Sequence, residues 1–309
     1  MTRFGPCIVL LAALLPGAAL RAQERVSIKP RSRPAAALSP RTARLRFDVR
    51  LVQIPVLVTD MRGKPMIDLG KDAFHIYQDD MEQPIAAFSL SDTPISATVV
   101  FDSSRSMKSH IAEARDGVEQ FLKTSLPGDD FALVRFSDRA EILSAFTPDP
   151  DEISRRLGFV EPHGWTALFD ALCLGAHESR KGGNRRKVLV VFSDGGDNNS
   201  RYSESELASL LREAEVEVYA LSMFEKPRSL ERLASETGGR AFWVRRIDDL
   251  PDAIATLSEQ VRSEYLVGYT PGALQNDGKY HRVRVEVKPP AGMQRVQVSW
   301  RRGYMAPGE

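Results

Sequence analysis

Three short stretches of this 309-residue sequence place oxygen-bearing side chains where an apolar strand or a loop would end. Asp102, Ser104 and Ser106 follow the apolar run 97–101 at a spacing of two, so one turn can aim a carboxylate and two hydroxyls at a common point. Thr166 closes His163-Gly164-Trp165-Thr166, just ahead of an apolar helical stretch. Asp194 follows the run 187–192, inside Ser193-Asp194-Gly195-Gly196-Asp197. Two carboxylates and three hydroxyls, with no soft ligand, suit a hard divalent ion such as Mg²⁺, or alternatively Mn²⁺ or Ca²⁺. So few formal negative charges would leave the ion electron-poor and receptive to a carboxylate from outside.

Taken singly, each piece has a plainer reading. Ser106 or Ser109 could cap a following helix, Thr166 could cap the next, and Asp194-Gly195 could be a turn. Asp197 reads as a turn or supporting residue rather than a ligand. Trp165 either anchors an interface or covers the core, and Arg105 either meets an acidic partner or stays solvated.

The elements that must position these residues follow from periodicity. Residues 97–101, 131–136 with a partner at 142–146, 187–192, 216–221 and 240–244 read as strands. They alternate with helical stripes after Ile111 and at 150–158, 167–179, 203–214, 229–237 and 250–263. Apolar strands alternating with helices predict an α/β domain with a doubly wound, mostly parallel sheet, which binds ligands beyond the carboxyl ends of its strands. Before and after this region the period is two: Leu45, Phe47, Val49 and Leu51 alternate with polar residues, as do Val283, Val285 and Val287, then Val296, Val298 and Trp300. Residues 54–59, 74–77 and 85–90 read as further short strands. Neither end alone can cover a sheet, so the two are expected to pair into one small β module.

Asp102-x-Ser104-x-Ser106, then Thr166, then Asp194 behind an apolar strand, resembles the metal-ion-dependent adhesion site of von Willebrand factor A domains, over about residues 93–262. The stretches TALFDAL at 166–172 and VVFSDGGDN at 190–198 resemble the same family. The flanking VTDMRGKP, DAFHIYQDD, YLVGYTP and GKYHRVRVEV resemble a bacterial exported subgroup. The resemblance implies a Rossmann-like fold and metal-dependent adhesion to protein ligands. It also implies that Ser104, Ser106 and Thr166 touch the metal, while Asp102 and Asp194 act partly through water.

Composition narrows the alternatives. With 42 basic and 41 acidic residues and a formal charge of +1, the chain lacks the strongly basic balance of a nucleic-acid binder. Two cysteines, Cys7 and Cys173, cannot build a disulfide framework or a thiolate zinc cluster, and Cys173 reads as core. Catalysis finds little support. An aspartyl phosphoryl-transfer site wants a second carboxylate two residues after the first, where Ser104 stands, and there is no Gly-x-Ser-x-Gly. The five histidines form no cluster with metal-ligand spacing.

The organisation expected is a signal peptide at 1–22, a basic Pro-rich linker at 23–46, an N-terminal β segment at 47–92, the α/β domain at 93–262 and a C-terminal β segment at 263–305. Cleavage near Ala22 would export the chain to a periplasmic or extracellular compartment, with no transmembrane segment in the mature protein. The function expected is a non-enzymatic binding module whose metal accepts Asp or Glu from a protein partner. A structural envelope protein with a fold-stabilising metal and, less well supported, a Mg²⁺-dependent hydrolase are the alternatives.

Overall fold

Eight consecutive residues, Ile95–Asp102, form a strand in which every side chain is buried, so both faces of that strand must be covered. The computed structural model describes residues 51–91, 93–226, 228–271, 277–289 and 295–308. The expected signal peptide, the linker and the alternation ahead of Leu51 lie outside the described residues. The described chain runs through β1 (Val52–Thr59), β2 (Phe74–Gln78), β3 (Met81–Gln83), β4 (Ile85–Ser91), β5 (Ile95–Asp102), α1 (Ile111–Leu122), β6 (Asp130–Phe136) and β7 (Ala140–Thr147). It continues through α2 (Pro150–Leu157), α3 (Leu168–Ser179), β8 (Arg186–Ser193), α4 (Glu204–Ala214), β9 (Glu217–Met223), α5 (Arg228–Thr237), β10 (Ala241–Val244) and α6 (Leu250–Arg262). The last strands are β11 (Glu264–Tyr269), β12 (Tyr280–Val287), β13 (Gln297–Trp300) and β14 (Gly303–Met305).

The six-stranded sheet has the order β10-β9-β8-β5-β6-β7, parallel except for β7 at one edge. The two-residue period of its strands sorts its side chains onto two cores. Ile95, Ala97, Val99 and Phe101 of β5, with Val188, Val190 and Phe192 of β8, face Val118, Phe121, Ile153, Ile254 and Leu257 of α1, α2 and α6. Val100, Leu189 and Val191 point the other way, onto Leu172, Leu207, Leu211, Leu230 and Leu233 of α3, α4 and α5. Each face of the sheet is thus sealed by three helices. β5 and β8 are neighbours whose following helices, α1 and α4, go to opposite faces, which leaves a crevice at their carboxyl ends.

Strands from the two ends of the chain interleave, as the pairing argument required, but in two sheets. One has the order β13-β1-β11-β4 and the other β14-β12-β2-β3. Their shared core contains Ile54, Val56, Ile76, Val267, Val283 and Val285, with Phe74, Phe88 and Tyr265 in mutual ring contact at 4.9–5.4 Å between centroids. β11 falls at the start of the expected C-terminal β segment but was not picked out as a strand: it begins two residues after α6 ends and pairs with both β1 and β4. Among the described residues no helix is long and apolar enough to cross a membrane.

Candidate metal centre

The crevice holds four of the five expected side chains in one hydrogen-bonded line. Asp102, at the end of β5, is fully buried; its Oδ1 accepts from the Ser104 amide at 2.8 Å and its Oδ2 from the Ser193 hydroxyl at 2.6 Å. The Ser104 and Ser106 hydroxyls lie 2.9 Å apart, and Ser106 donates to Asp194 Oδ1 at 2.9 Å. Asp102 and Asp194 make no ion pair among the described residues. Burial pushes the Asp102 carboxyl up to about 6 against the opposing hydrogen bonds of Ser193 and Ser104, and burial also raises Asp194. Both carboxylates are raised by desolvation, so a cation held between the two loops would offset that cost.

Thr166 reaches the same crevice through its backbone. The His163 amide donates to Ser103 O at 2.8 Å and the Arg105 amide to Gly164 O at 3.2 Å, tying the threonine's loop to the serine turn. On its other side the Thr166 amide donates to Asn198 Oδ1 at 2.8 Å, while its carbonyl accepts from the Asn198 and Asn199 amides. All five residues therefore belong to one set of mutually bonded loops.

The capping alternatives do not hold. α1 takes His110 as its N-cap and α3 takes Ala167, neither with a side-chain cap bond. Ser106 and Thr166 are left free of that duty. Asp197, by contrast, accepts from the Phe169 amide at 3.2 Å in the first turn of α3, the supporting role expected of it.

Trp165 is 65% exposed, so it lies on the surface and does not cover the core. Its amide donates to Asp138 Oδ1 at 2.8 Å, which fixes the loop. Arg105 and Ser106 are exposed, and Tyr202 is 45% exposed. The line of oxygens thus opens to solvent at Ser106. Cys173 is buried and its thiol is pushed up to about 12 by burial, as befits a core residue.

Sequence reasoning passed over Ser193, which bonds Asp102; Asn198, which bonds Thr166 twice; and Asp138, which bonds Trp165 beside it. Ser193 and Asn198 flank Asp194 closely enough to have been suspected; Asp138 sits far from Trp165 in sequence and carries no such signal. Among the described residues no three His, Cys, Asp or Glu side chains gather for a metal. The donor set that does gather is rich in hydroxyls, which fits a hard divalent cation that keeps several waters.

Residues 98–196 match the family model described as the von Willebrand factor type A domain. Among solved structures, a von Willebrand factor type A protein from Catenulispora acidiphila aligns with a TM-score of 0.50 and 12% identity over 75% of each chain, a likeness of fold. Proximal thread matrix protein 1 of the mussel byssus, in a structure with a zinc-occupied MIDAS motif, aligns with a TM-score of 0.49 and 20% identity over 59% of this chain and 49% of that one. The chain therefore spans about half the length of that mussel protein. BatB of Bacteroides thetaiotaomicron aligns with a TM-score of 0.44 and 15% identity over 55% of this chain and 100% of that one. No curated protein matches.

Proposed function

We propose, from the match of residues 98–196 to the von Willebrand factor type A domain model, that the chain is an exported binding module in which a divalent cation, Mg²⁺ in the first instance, recruits a carboxylate from a partner protein. The observation that carries the reading is the bonded line Asp102, Ser104, Ser106, Asp194 at the strand ends, with the Thr166 loop tied to it on both sides. Ser104, Ser106 and Thr166 would offer hydroxyl oxygens to the ion, and Asp102 and Asp194 would supply charge, partly through water. When bound, the ion supplies a Lewis-acidic position for an incoming Asp or Glu.

What this chain's own residues do is hold the oxygens ready. Ser193 and the Ser104 amide occupy the two oxygens of Asp102, so the carboxylate orients the turn and would offset the charge of a bound ion. The exposed Trp165 and Arg105 border the opening, where an apolar contact and a positive charge would add area and specificity to an acidic ligand. The role is binding rather than catalysis. Export rests on the leader-like residues 1–22.

The test has two stages. Calorimetric titration with Mg²⁺ or Mn²⁺ should show one site that Asp102→Ala removes while the circular dichroism spectrum is unchanged. A glutamate-containing peptide should then bind the metal-loaded chain and be released by chelator. Metal binding without any carboxylate response would favour the alternative, a cation that only stabilises the fold. No metal binding at all would overturn the proposal.

A further inference from the structure

The geometry points to a second binding site, for an amphipathic organic anion, at the edge of the α/β sheet opposite the candidate metal centre. A cavity of about 750 Å³ opens there, within the range of small-molecule sites. One wall is the lead-in to β5, β8 and β9, where the parallel strands begin. The other is built from the start of β1, Leu266 of β11 and the residues around β14. It therefore exists only because the terminal strands pack below the sheet.

Its lining has two parts. Leu51, Pro55, Pro94, Leu266 and Met305 give it an apolar floor and mouth. Arg185, Arg186, Lys187 and Arg301 surround that floor with four cations, against only two carboxylates, Glu215 and Glu217. Most of the positive charge is engaged. Arg186 lies 2.7 Å from Glu217 and 2.6 Å from Glu264, and Lys187 donates to Gly182 O at 2.6 Å. Arg301 spends Nη1 on Glu215 at 2.8 Å and Nη2 on Gln53 O at 3.1 Å, which leaves its buried Nε without a partner. Arg185 is exposed and makes no ion pair or hydrogen bond among the described residues. The charge left over is positive, beside an apolar volume.

A ligand that answers both parts has a carboxylate or similar anionic head, bonded by Arg185 within the positive field of Arg301, and an aliphatic body lying on the apolar floor. The chain preceding Leu51 does not meet that description. Residues 23–46 carry seven Arg or Lys and a single acid, Glu24, so their charge has the same sign as the cavity's.

The test is calorimetric titration of the full chain with decanoate, in the presence of chelator so that the metal centre takes no part. One saturable site is expected. Arg185→Glu and Met305→Glu, both at exposed positions on opposite walls, should each weaken it about tenfold or more with melting temperatures unchanged. Decylammonium, with the same tail and the opposite charge, should fail to displace decanoate. Absence of saturable binding, displacement by decylammonium, or decanoate binding that neither substitution alters would each overturn the assignment.

Discussion

The Ser106 hydroxyl donates to Asp194 Oδ1 at 2.9 Å across 88 residues of sequence, which joins the loop after β5 to the loop after β8. A hydroxyl bonded this way does not cap α1, although it stands five residues before that helix begins. The contact exists because β5 and β8 are adjacent and parallel, in register from Ile95↔Arg186 to Phe101↔Phe192, so their ends arrive at the same height. Sheet register therefore sets the spacing of the proposed ligands.

Replacing Asp102 with Asn should separate metal binding from folding. The carboxylate is buried without an ion pair, so the neutral amide relieves a desolvation cost while keeping an acceptor for the Ser104 amide. In chelator the variant should melt no lower than the parent at pH 8. Mg²⁺ at a hundred times its Kd should stabilise the parent by about 2.7 kcal/mol and leave Asp102→Asn unmoved. Scanning calorimetry with and without Mg²⁺ reads both effects; an equal shift in both proteins would remove Asp102 from the site.

Gly164 should tolerate no side chain. Its φ is +71°, and a Cβ there would lie 2.2 Å from Asp138 Oδ2, the carboxylate that holds the Trp165 amide. Gly164→Ala should cost about 1 to 3 kcal/mol in urea denaturation, through the strained backbone and the displaced carboxylate. Because Thr166 is two residues on, metal affinity should fall with it. Unchanged stability and affinity would mean that the loop is not fixed by Asp138.

Much of this architecture could be read from residue order, and the exceptions are instructive. β5 and β8 announce themselves as unbroken apolar runs because helices cover both of their faces, and the five oxygen donors stand where those runs and the Thr166 loop end. β11 does not announce itself. Its residues follow α6 with no turn between them, and what makes them a central strand is pairing with β1, Val56 opposite Tyr265, from the far end of the chain. Asp138 was invisible for the same reason: its bond to Trp165 is created by folding and has no spacing to read.

His281 should make the terminal sheets more stable in mild acid than above neutrality. Burial alone would lower its pKa, but hydrogen bonds to Asp79 at 2.7 Å and Asp277 at 3.2 Å outweigh it and hold the imidazolium above its ordinary range. A folded pKa raised above the unfolded value of about 6.5 contributes stability that is complete below that pH and lost as pH rises through the folded value. Asp79 works in the opposite sense. Burial opposes its ionisation, yet the bonds from His281 and the Arg282 amide hold it below its ordinary range, so its contribution is lost only in stronger acid. Urea denaturation of the parent should therefore show stability falling from pH 6.5 upward, and His281→Asn should make that limb shallower, leaving the part that belongs to Glu264, whose folded pKa burial raises to about 8. A variant that keeps the slope would assign it to another group.

The buried cluster at the base of β8 should be the most sensitive charged position in the molecule. Arg186 bonds Glu217 through Nε and Nη2 at 3.2 and 2.7 Å, meets Glu264 at 2.6 Å and donates to the Val261 carbonyl at the end of α6. Tyr219 completes it by donating to Glu264 Oε1 at 2.6 Å. Burial pushes Glu264 upward, with Arg186 opposing the shift, so the arginine is what makes a second carboxylate tolerable there. Arg186→Met would leave two carboxylates beneath the sheet with no cation, a change that costs about 3 to 5 kcal/mol where a buried pair is broken from one side. Replacing the three charged residues together, Arg186→Met with Glu217→Leu and Glu264→Leu, removes the stranded charge and should recover most of that loss. Denaturant unfolding of the single and triple variants distinguishes the two cases. A triple variant as unstable as the single one would show that the cluster's hydrogen bonds to Val261 and Tyr219, rather than its charge balance, hold α6 and β11 against the sheet.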